Sequence, residues 1–295
     1  MTLTVGSMFT GIGGFDLGAQ QAGMKVLWAV EKDEKARELL RARFPETEVL
    51  EDVTKIDPGG LRPVDVLTAG WPCQDVSVAG NRAGLAGERS GLWREVVRWL
   101  AVLRPAWFVG ENVPGLLSSA GGRDMGTVLG QLGELGYGWA YRVLDARYFG
   151  VAQRRRRVLI VGCLGDPARA AEVLLEPEGR EWHPSSRREA GQDVAGTLGG
   201  GSGERGWAPD TDRMTFVPEV AATVGGGNYG AGNLDEGVPM MVSTYAVRLL
   251  TPLECERLQG FPDGWTNGFS NSTRYRMLGN AICVNVAEWV LRRVS

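Results

Sequence analysis

The sequence predicts an α/β protein, in which a doubly wound, mostly parallel sheet is joined to a smaller, irregular β-rich domain. Over the first 165 residues, short β-branched runs alternate with segments of helical period, which is typical of parallel strands connected by helices. From about 165 to 245, Gly, Pro and Arg are frequent and the periodicity is weak. The apolar pattern then returns and ends in a predicted helix at 285–294.

The first strands and helices follow one another closely. A strand at 3–9 precedes a helix at 14–23, and a strand at 25–30 precedes a helix at 33–44, whose acidic first turn and basic last turn suit the helix dipole. The further predicted elements are the strands 64–69, 106–111 and 157–162 and the helix 89–103. Ligands of such sheets bind at the carboxyl ends of the strands, so the residues after these strands are the first candidates for a site.

Composition and charge exclude several classes of protein. The 295 residues are 43% apolar and 23% charged, as in folded globular proteins, and suggest about two domains. The net charge of −3 is not generally basic, so positive charge for a nucleic-acid partner must be local. No secretory leader and no apolar run of about 18 residues is found, which predicts a cytoplasmic protein without a membrane partner.

Histidine and cysteine are scarce. His183 is the only histidine, which disfavours a His-based triad, and the four cysteines include no CxxC pair. We therefore expect no bound metal and no disulfide framework, and acid–base chemistry by carboxylate, arginine or thiol.

The first candidate site is a glycine-rich turn, FTGIGGF at 9–15, between the first strand and the first helix. Its glycines permit a tight turn that a cofactor can approach. Glu31 ends the next strand, in a position to bind ribose hydroxyls, and Asp52 and Val53 follow a third strand, in a position to contact adenine. The pattern indicates a nucleoside cofactor, of which NAD is one candidate.

A thiol follows the strand at 64–69. In GWPCQDVS (70–77), Cys73 lies between Pro72 and Gln74, where such a sheet places its active site. An isolated cysteine is more often buried and structural. The polar neighbours and the strand-end position favour a reactive thiol, which would lose its proton beside local positive charge or to the substrate.

Two further motifs carry charge. Glu111 ends a strand, where a partly buried carboxyl can act as a proton donor, and a turn cap is the alternative. QRRRR at 153–157 leads into the next strand. In an extended segment Gln153, Arg155 and Arg157 share one face, which we predict to enter a cleft. The alternative is a solvated charge run or a nucleic-acid patch.

The irregular region contains a short repeat, VAGTLGGG at 194–201 and VAATVGGG at 220–227. Two copies are too few for a solenoid. One interpretation is a pair of strand-plus-glycine turns in a small β-rich domain. The other is a pair of glycine loops that approach a phosphate backbone, with Thr197 and Thr223 as contacts.

In this order, the motifs resemble the cytosine-C5 DNA methyltransferase family. The blocks that carry the resemblance are FTGIGGF, Glu31, Asp52, 72–74, 111–113, QRRRR, 248–262 and 278–286. The unmatched part, about 165–245, lies where this family has a variable target-recognition domain. The resemblance implies a Rossmann-like methyltransferase fold, with a catalytic domain at 1–164 plus 271–295 and a target-recognition domain at 165–270.

The resemblance implies transfer of a methyl group from S-adenosylmethionine to C5 of cytosine, in a base rotated out of the duplex. It assigns Cys73 to addition at C6, Glu111 to N3 and the exocyclic amine, and Arg155 to O2. Arg157 and Gln153 complete the implied catalytic set. A soft nucleophile, a tunable acid and a fixed cation suit these roles.

The resemblance also implies cofactor contacts, with S-adenosylhomocysteine as the product. The residues carried over are Phe9, Gly11, Gly13, Glu31, Asp52, Val53, Pro72 and Asn280. Two positions depart from the family pattern. Lys32 stands where many members have a bulky apolar residue against adenine, and Ala152 stands where proline commonly precedes the glutamine.

Double-stranded DNA is the implied partner, bound by a monomer. We expect the loop at 81–91 to act as a mobile lid over the rotated base, with Arg82 and Arg89 on phosphates. A cognate restriction endonuclease is a further partner compatible with the family, and the glycine-rich repeat is similar to phage or prophage members.

Three alternatives remain at this point. One is a tRNA-directed cytosine methyltransferase, although its small-domain signature is not found in the sequence. Another is a catalytically silent DNA-binding homologue, which the intact Cys73, Glu111 and Arg155 disfavour. The third is an NAD-dependent oxidoreductase, which would not explain PCQ, ENV and QRRRR together.

Overall fold

A computed structural model describes most of the chain, which divides into two compact units. The described residues are 2–72, 91–175, 240–242 and 247–294. The first unit comprises Met1–Leu144, Arg156–Trp182 and Val286–Ser295. The second unit comprises Asp145–Arg155 and His183–Asn285.

A seven-stranded sheet forms the framework of the first unit. Its strands in chain order are β1 (Thr4–Met8), β2 (Lys25–Val30), β3 (Glu48–Leu50), β4 (Val66–Ala69), β5 (Trp107–Asn112), β6 (Tyr137–Asp145) and β7 (Arg156–Leu164). Their spatial order is β3-β2-β1-β4-β5-β7-β6. Neighbours from β3 to β5 pair in parallel, and β5 pairs antiparallel with β7. The predicted mostly parallel α/β sheet is confirmed.

Helices connect these strands. They are α1 (Gly14–Gln21), α2 (Glu34–Arg43), α3 (Leu92–Leu103), α4 (Arg123–Glu134) and α5 (Pro167–Leu174). The expectation of irregular structure from about 165 is wrong for α5. There Asp166 accepts hydrogen bonds from the first backbone amides and Pro167 begins the helix, a start signal that outweighs weak periodicity.

Large aromatic side chains fill the core of the first unit. The rings of Trp28 and Trp99 lie 5.5 Å apart and those of Trp71 and Trp93 lie 4.8 Å apart, centroid to centroid. A Cβ at Gly6 would lie 2.1 Å from the Trp28 ring, so this strand position requires glycine for close packing. The core therefore reaches the strands that carry the glycine-rich turn.

The second unit contains a hairpin and two helices among its described residues. The strands β8 (Met240–Val242) and β9 (Val247–Leu249) pair antiparallel, and the helices are α6 (Pro252–Leu258) and α7 (Asn271–Asn280). A last helix, α8 (Val284–Leu291), follows. The predicted turns at 194–201 and 220–227 lie outside the described residues.

No helix in the described part of the chain is both long and apolar enough to span a bilayer.

Candidate active site

One row of residues crosses five neighbouring strands near their carboxyl ends. Leu50 pairs with Val30, Val30 with Met8, Met8 with Ala69, and Ala69 with Gly110. The residues that follow this row therefore leave the sheet at one edge. They include the glycine-rich turn, Glu31, Asp52 and Glu111.

The glycine-rich turn leaves β1 in a left-handed backbone conformation. Phe9 has φ 54°, Gly11 φ 59° and Gly13 φ 85°. The amide of Gly11 donates to Oε2 of Glu31 at 2.7 Å. A Cβ at Gly11 would have no atom within 4 Å, whereas one at Gly13 would lie 2.5 Å from Phe44. One glycine thus leaves open space for a ligand, and the other permits packing.

Two carboxylates follow β2 and β3. Oε1 of Glu31 accepts from the amide of Asp33 at 2.8 Å, and burial raises the pKa of Glu31 against these backbone hydrogen bonds. Oδ1 of Asp52 accepts from the Thr54 amide and hydroxyl, at 3.0 and 2.8 Å, and Lys32 Nζ lies 3.5 Å from Oδ2. Burial opposes ionisation of Asp52, but these contacts outweigh it and lower its pKa. Both carboxylates are held by local contacts.

Val53 and Pro72 are the other described cofactor candidates of the first unit. The Val53 side chain is buried, and its carbonyl accepts from Arg98 Nη2 at 2.6 Å and from Trp99 Nε1 at 3.2 Å. Pro72 is half-buried, just after the end of β4. These contacts place the Val53 side chain in the core, so a ligand would meet its backbone.

A glutamate–arginine pair joins β5 to β7. Arg157 Nε donates to Glu111 Oε1 at 2.9 Å, and each side chain is 13% exposed. Burial lowers the pKa of Arg157, and the Glu111 carboxylate partly offsets this. A Cβ at Gly70 would lie 3.5 Å from Glu111 Oε2. Asn112 Nδ2 donates to the carbonyl of Trp71 at 3.3 Å, so β5 also holds the segment that follows β4.

The predicted alternation along QRRRR is confirmed by burial. Gln153 and Arg155 are 0% and 2% exposed, whereas Arg154 and Arg156 are exposed. Arg157 continues the less exposed face. The two faces predicted from an extended backbone are therefore present.

Arg155 belongs to the second unit and contacts backbone carbonyls within that unit. Its Nη2 donates to Gly279 at 3.1 Å and to Ala281 at 2.7 Å, the two neighbours of Asn280. Asn280 itself is exposed at the end of α7. Gln259, which was not singled out in the sequence, holds the same turn by donating to the Leu278 carbonyl at 2.7 Å.

Some predicted site residues lie outside the described residues. They are Cys73, Arg82, Arg89, Thr197 and Thr223, together with most of the predicted lid at 81–91. The other three cysteines, Cys163, Cys255 and Cys283, are buried.

A second polar feature missed in the sequence lies beside the glycine-rich turn. The Asp16 side chain in the first turn of α1 is 1% exposed, and its Oδ2 accepts from Ser7 Oγ at 3.3 Å. All residues from Gly14 to Ala19 are buried, so this acid stands in an otherwise apolar stretch. An acid two residues after the last glycine was the only local signal, and it does not show that the side chain is buried.

Comparison with known proteins identifies the family. The family model described as C-5 cytosine-specific DNA methylase matches residues 3–199 and 197–295. Type II methyltransferase M2.BsuMI of Bacillus subtilis (strain 168) is 33% identical over 324 residues, which cover 99% of this chain and 75% of the relative. Type II methyltransferase M.NlaX of Neisseria lactamica is 32% identical over 311 residues, covering 98% and 95% of the two chains.

The fold has close counterparts among solved structures. The S. pombe Dnmt2 methyltransferase superposes with a TM-score of 0.67 at 19% identity, covering 98% of this chain and 97% of that one. The family match extends over almost the whole sequence and disfavours the oxidoreductase interpretation. The chain belongs to the C-5 cytosine-specific DNA methylase family and is a DNA (cytosine-5-)-methyltransferase.

Proposed function

We propose that this enzyme transfers a methyl group from S-adenosylmethionine to C5 of a cytosine rotated out of double-stranded DNA, through a covalent adduct between Cys73 and C6. The observation that carries the proposal is the row across the carboxyl ends of five strands. It brings the glycine-rich turn, Glu31 and Glu111 to one edge of the sheet, together with the segment that leads to Cys73.

The residues at the first part of this edge fit a nucleoside cofactor. Gly11 leaves space above the turn, and the carboxylates of Glu31 and Asp52 keep oxygen lone pairs for ribose hydroxyls and an adenine amine. When bound, S-adenosylmethionine supplies the electrophilic methyl group. The remaining proposed contacts are Phe9, Gly13, Val53, Pro72 and Asn280.

The methylation step requires activation of an aromatic carbon. The Cys73 thiolate forms a bond to C6, and the electrons of the C5–C6 double bond then make C5 nucleophilic. Glu111, carrying a proton, donates to N3 and accepts from the exocyclic amine, which stabilises this state. C5 then takes the methyl group and S-adenosylhomocysteine is the leaving group. The C5 proton passes to solvent, its bonding electrons restore the C5–C6 double bond, and the sulfur–C6 bond breaks to return the Cys73 thiolate.

The geometry favours a particular division of work between the two arginines. Arg157 is paired with Glu111 and keeps other guanidinium donors, so we assign it the contact to cytosine O2. Arg155 is almost fully buried and binds the carbonyls beside Asn280, so we assign it, with Gln153, a supporting role. This reverses the arginine roles that the family resemblance implied.

DNA recognition and cellular role extend the proposal. We assign phosphate contacts to Arg82 and Arg89 and target contacts to Thr197 and Thr223, within a recognition domain at 165–270 inserted between catalytic parts at 1–164 and 271–295. We propose a cytoplasmic monomer. The names of the type II relatives support a cognate restriction endonuclease from which it would protect DNA.

A methyl-transfer assay on duplex DNA and on tRNA tests the substrate. Duplex DNA should accept tritiated methyl groups, and tRNA should not. DNA carrying 5-fluorocytosine should trap a covalent adduct, because fluorine cannot leave as a proton does. Cys73→Ser should abolish turnover and trapping while binding S-adenosylmethionine as the wild type does. Full activity in Cys73→Ser would refute the covalent mechanism.

A further inference from the structure

The glycine-rich turn depends on a strained residue. Phe9 is not glycine, yet it has φ 54°, a left-handed conformation that is unfavourable for an L-residue with a side chain. Such a conformation persists only where the surrounding structure fixes it. The neighbouring residue, Thr10, supplies the fixed points.

Thr10 ties the turn to β1 and β2. Its amide donates to the Val30 carbonyl at 3.1 Å. Its hydroxyl lies 3.2 Å from three acceptors, which are the Val30 carbonyl, the Ser7 carbonyl and Ser7 Oγ. Since Val30 immediately precedes Glu31, the same contacts set the distance between the turn and that carboxylate.

Ser7 continues this chain of hydroxyls to Asp16. Ser7 Oγ donates to Asp16 Oδ2 at 3.3 Å, which leaves its lone pairs to accept from Thr10. Burial raises the pKa of Asp16 to about 7. Above that pH the carboxylate has no proton to donate, so it fixes the direction of the hydrogen bonds from Thr10 through Ser7. This series of hydrogen bonds thus begins on the turn and ends on the helix that follows it.

Burial of a carboxyl group at this position is energetically unfavourable. Oδ1 of Asp16 has no hydrogen-bond partner in the described part of the chain, and no described cation pairs with the carboxyl. An apolar side chain of similar volume would serve packing alone at lower cost. Besides its favourable place in the first turn of α1, Asp16 provides an acceptor for Ser7, which an apolar residue would not.

We propose that Asp16 is a positioning residue for the cofactor, which acts through Ser7 and Thr10 on the turn at 9–14. The inference rests on the proposed use of this turn to bind S-adenosylmethionine. Loss of the hydrogen bonds among Asp16, Ser7 and Thr10 frees Thr10 and lets Phe9 relax toward an unstrained conformation. The Gly11 amide then leaves its place beside Glu31, and affinity for the cofactor falls.

Calorimetry with S-adenosylhomocysteine, combined with steady-state kinetics, tests this role. Asp16→Leu should weaken binding on the order of tenfold, the equivalent of about one net hydrogen bond. KM for S-adenosylmethionine should rise by a similar factor, and kcat at saturation should stay within about threefold. Asp16→Asn keeps an acceptor for Ser7 and should restore most of the affinity.

A matched control is Asp124→Leu. Asp124 is also buried in the first turn of a helix, α4, and accepts from Ser119 Oγ. This variant should bind S-adenosylhomocysteine within about twofold of wild type. Equal weakening by both leucine variants, or no rescue by Asp16→Asn, would overturn the proposal.

Thr10 gives a second test if Asp16→Leu does not fold. Thr10→Val removes the hydroxyl at constant shape and should weaken binding, whereas Thr10→Ser should not. Wild-type affinity in Thr10→Val would also overturn the proposal. Failure of the wild-type enzyme itself to bind S-adenosylhomocysteine would instead refute the proposed cofactor site.

Discussion

Two glutamates, one in each unit, have an arginine partner at the same distance but differ in their other contacts. In the second unit, Glu256 Oε1 accepts from Arg274 Nη2 at 2.9 Å and from the Thr266 amide at 2.8 Å, and Oε2 accepts from the Gly264 amide at 2.7 Å. In the first unit, Glu111 Oε1 also has an arginine donor at 2.9 Å, but Oε2 has no donor within the described part of the chain.

The difference separates a structural carboxylate from one that can serve a ligand. Burial raises the pKa of Glu256, but hydrogen bonds from Thr266 and Arg274 outweigh it, so the net pKa is lowered and its acceptor positions are occupied. Glu111 retains an oxygen for a new hydrogen bond. Residue type and the distance to arginine are the same, so the number of donors and the deeper burial of Glu256 distinguish the two.

The largest effect should come from Glu111→Gln. Its amide oxygen can still accept from Arg157, so the fold should tolerate the change. The proposed contact to N3 is altered, and turnover on duplex DNA should fall on the order of 100- to 1,000-fold. Single-turnover methyl transfer measures the loss, and calorimetric unfolding checks the fold. Turnover close to wild type would remove Glu111 from the catalytic set.

Glu256→Gln should instead reduce the stability of the fold. Both oxygens of Glu256 accept from backbone amides. In either orientation of the glutamine side chain, its NH₂ group would therefore face a backbone N–H donor. We expect a loss of about 3 kcal/mol in the free energy of unfolding. Urea unfolding of Glu256→Gln and Glu111→Gln, side by side, measures the contrast. Equal losses in the two variants would show that donor number does not separate the pairs.

Asp16 provides a third case, a buried acid without an arginine. Burial is the main cause that raises its pKa to about 7, against hydrogen bonds from its own backbone and Ser7. The folded state therefore holds a proton that the unfolded state releases near pH 4, and stability falls as pH rises from about 4 to about 7. The slope from this group is at most about 1.4 kcal/mol per pH unit.

Asp16→Asn should remove that slope. Its stability relative to wild type should increase from pH 5 to pH 7 and stay constant above about pH 8, as measured by urea unfolding at each pH. The other carboxylates contribute equally to both proteins and cancel in the difference. A difference that does not vary with pH would mean that Asp16 is already ionised in this range.

The smallest effect is expected at an exposed pair. Arg257 binds Asp263 through Nε and Nη2 at 2.8 and 2.6 Å, but both side chains are more than half exposed. Solvent and salt screen such pairs. Arg257→Ala should change the melting temperature much less than Arg274→Ala, and the change should shrink at 1 M salt. A comparable loss for both would contradict the role assigned to burial.

The sequence predicts the framework well because strand ends and periodicity are local signals. The strand at 25–30 is found with those bounds, and the turn and Glu31 follow strands that the sequence places in order. Glu111 is one of the last two residues of another such strand. Parallel pairing then brings them to one edge without further information. The alternation of Gln153, Arg155 and Arg157 follows from the same local geometry.

Contacts between distant segments were not predictable. The hydrogen bonds from Arg155 to residues on either side of Asn280 join positions about 125 residues apart, and no local pattern announces them. Gln259 and Asp16 were missed for a related reason. Each is a polar residue in an amphipathic or apolar segment, and only the packing shows which face it occupies.

The antiparallel direction of β7 determines how Arg157 reaches the edge of the sheet. Parallel strands supply their ligand-binding groups at their carboxyl ends, but β7 runs the other way and pairs Val158 with Asn112. Arg157 therefore reaches the rim from the first residues of its strand. The antiparallel direction of this one strand thus brings the end of the QRRRR segment at 153–157 to the edge of the sheet that carries Glu111. It also places the downstream end of the strand, Leu164, beside Ala106, at the opposite end of β5 from Glu111.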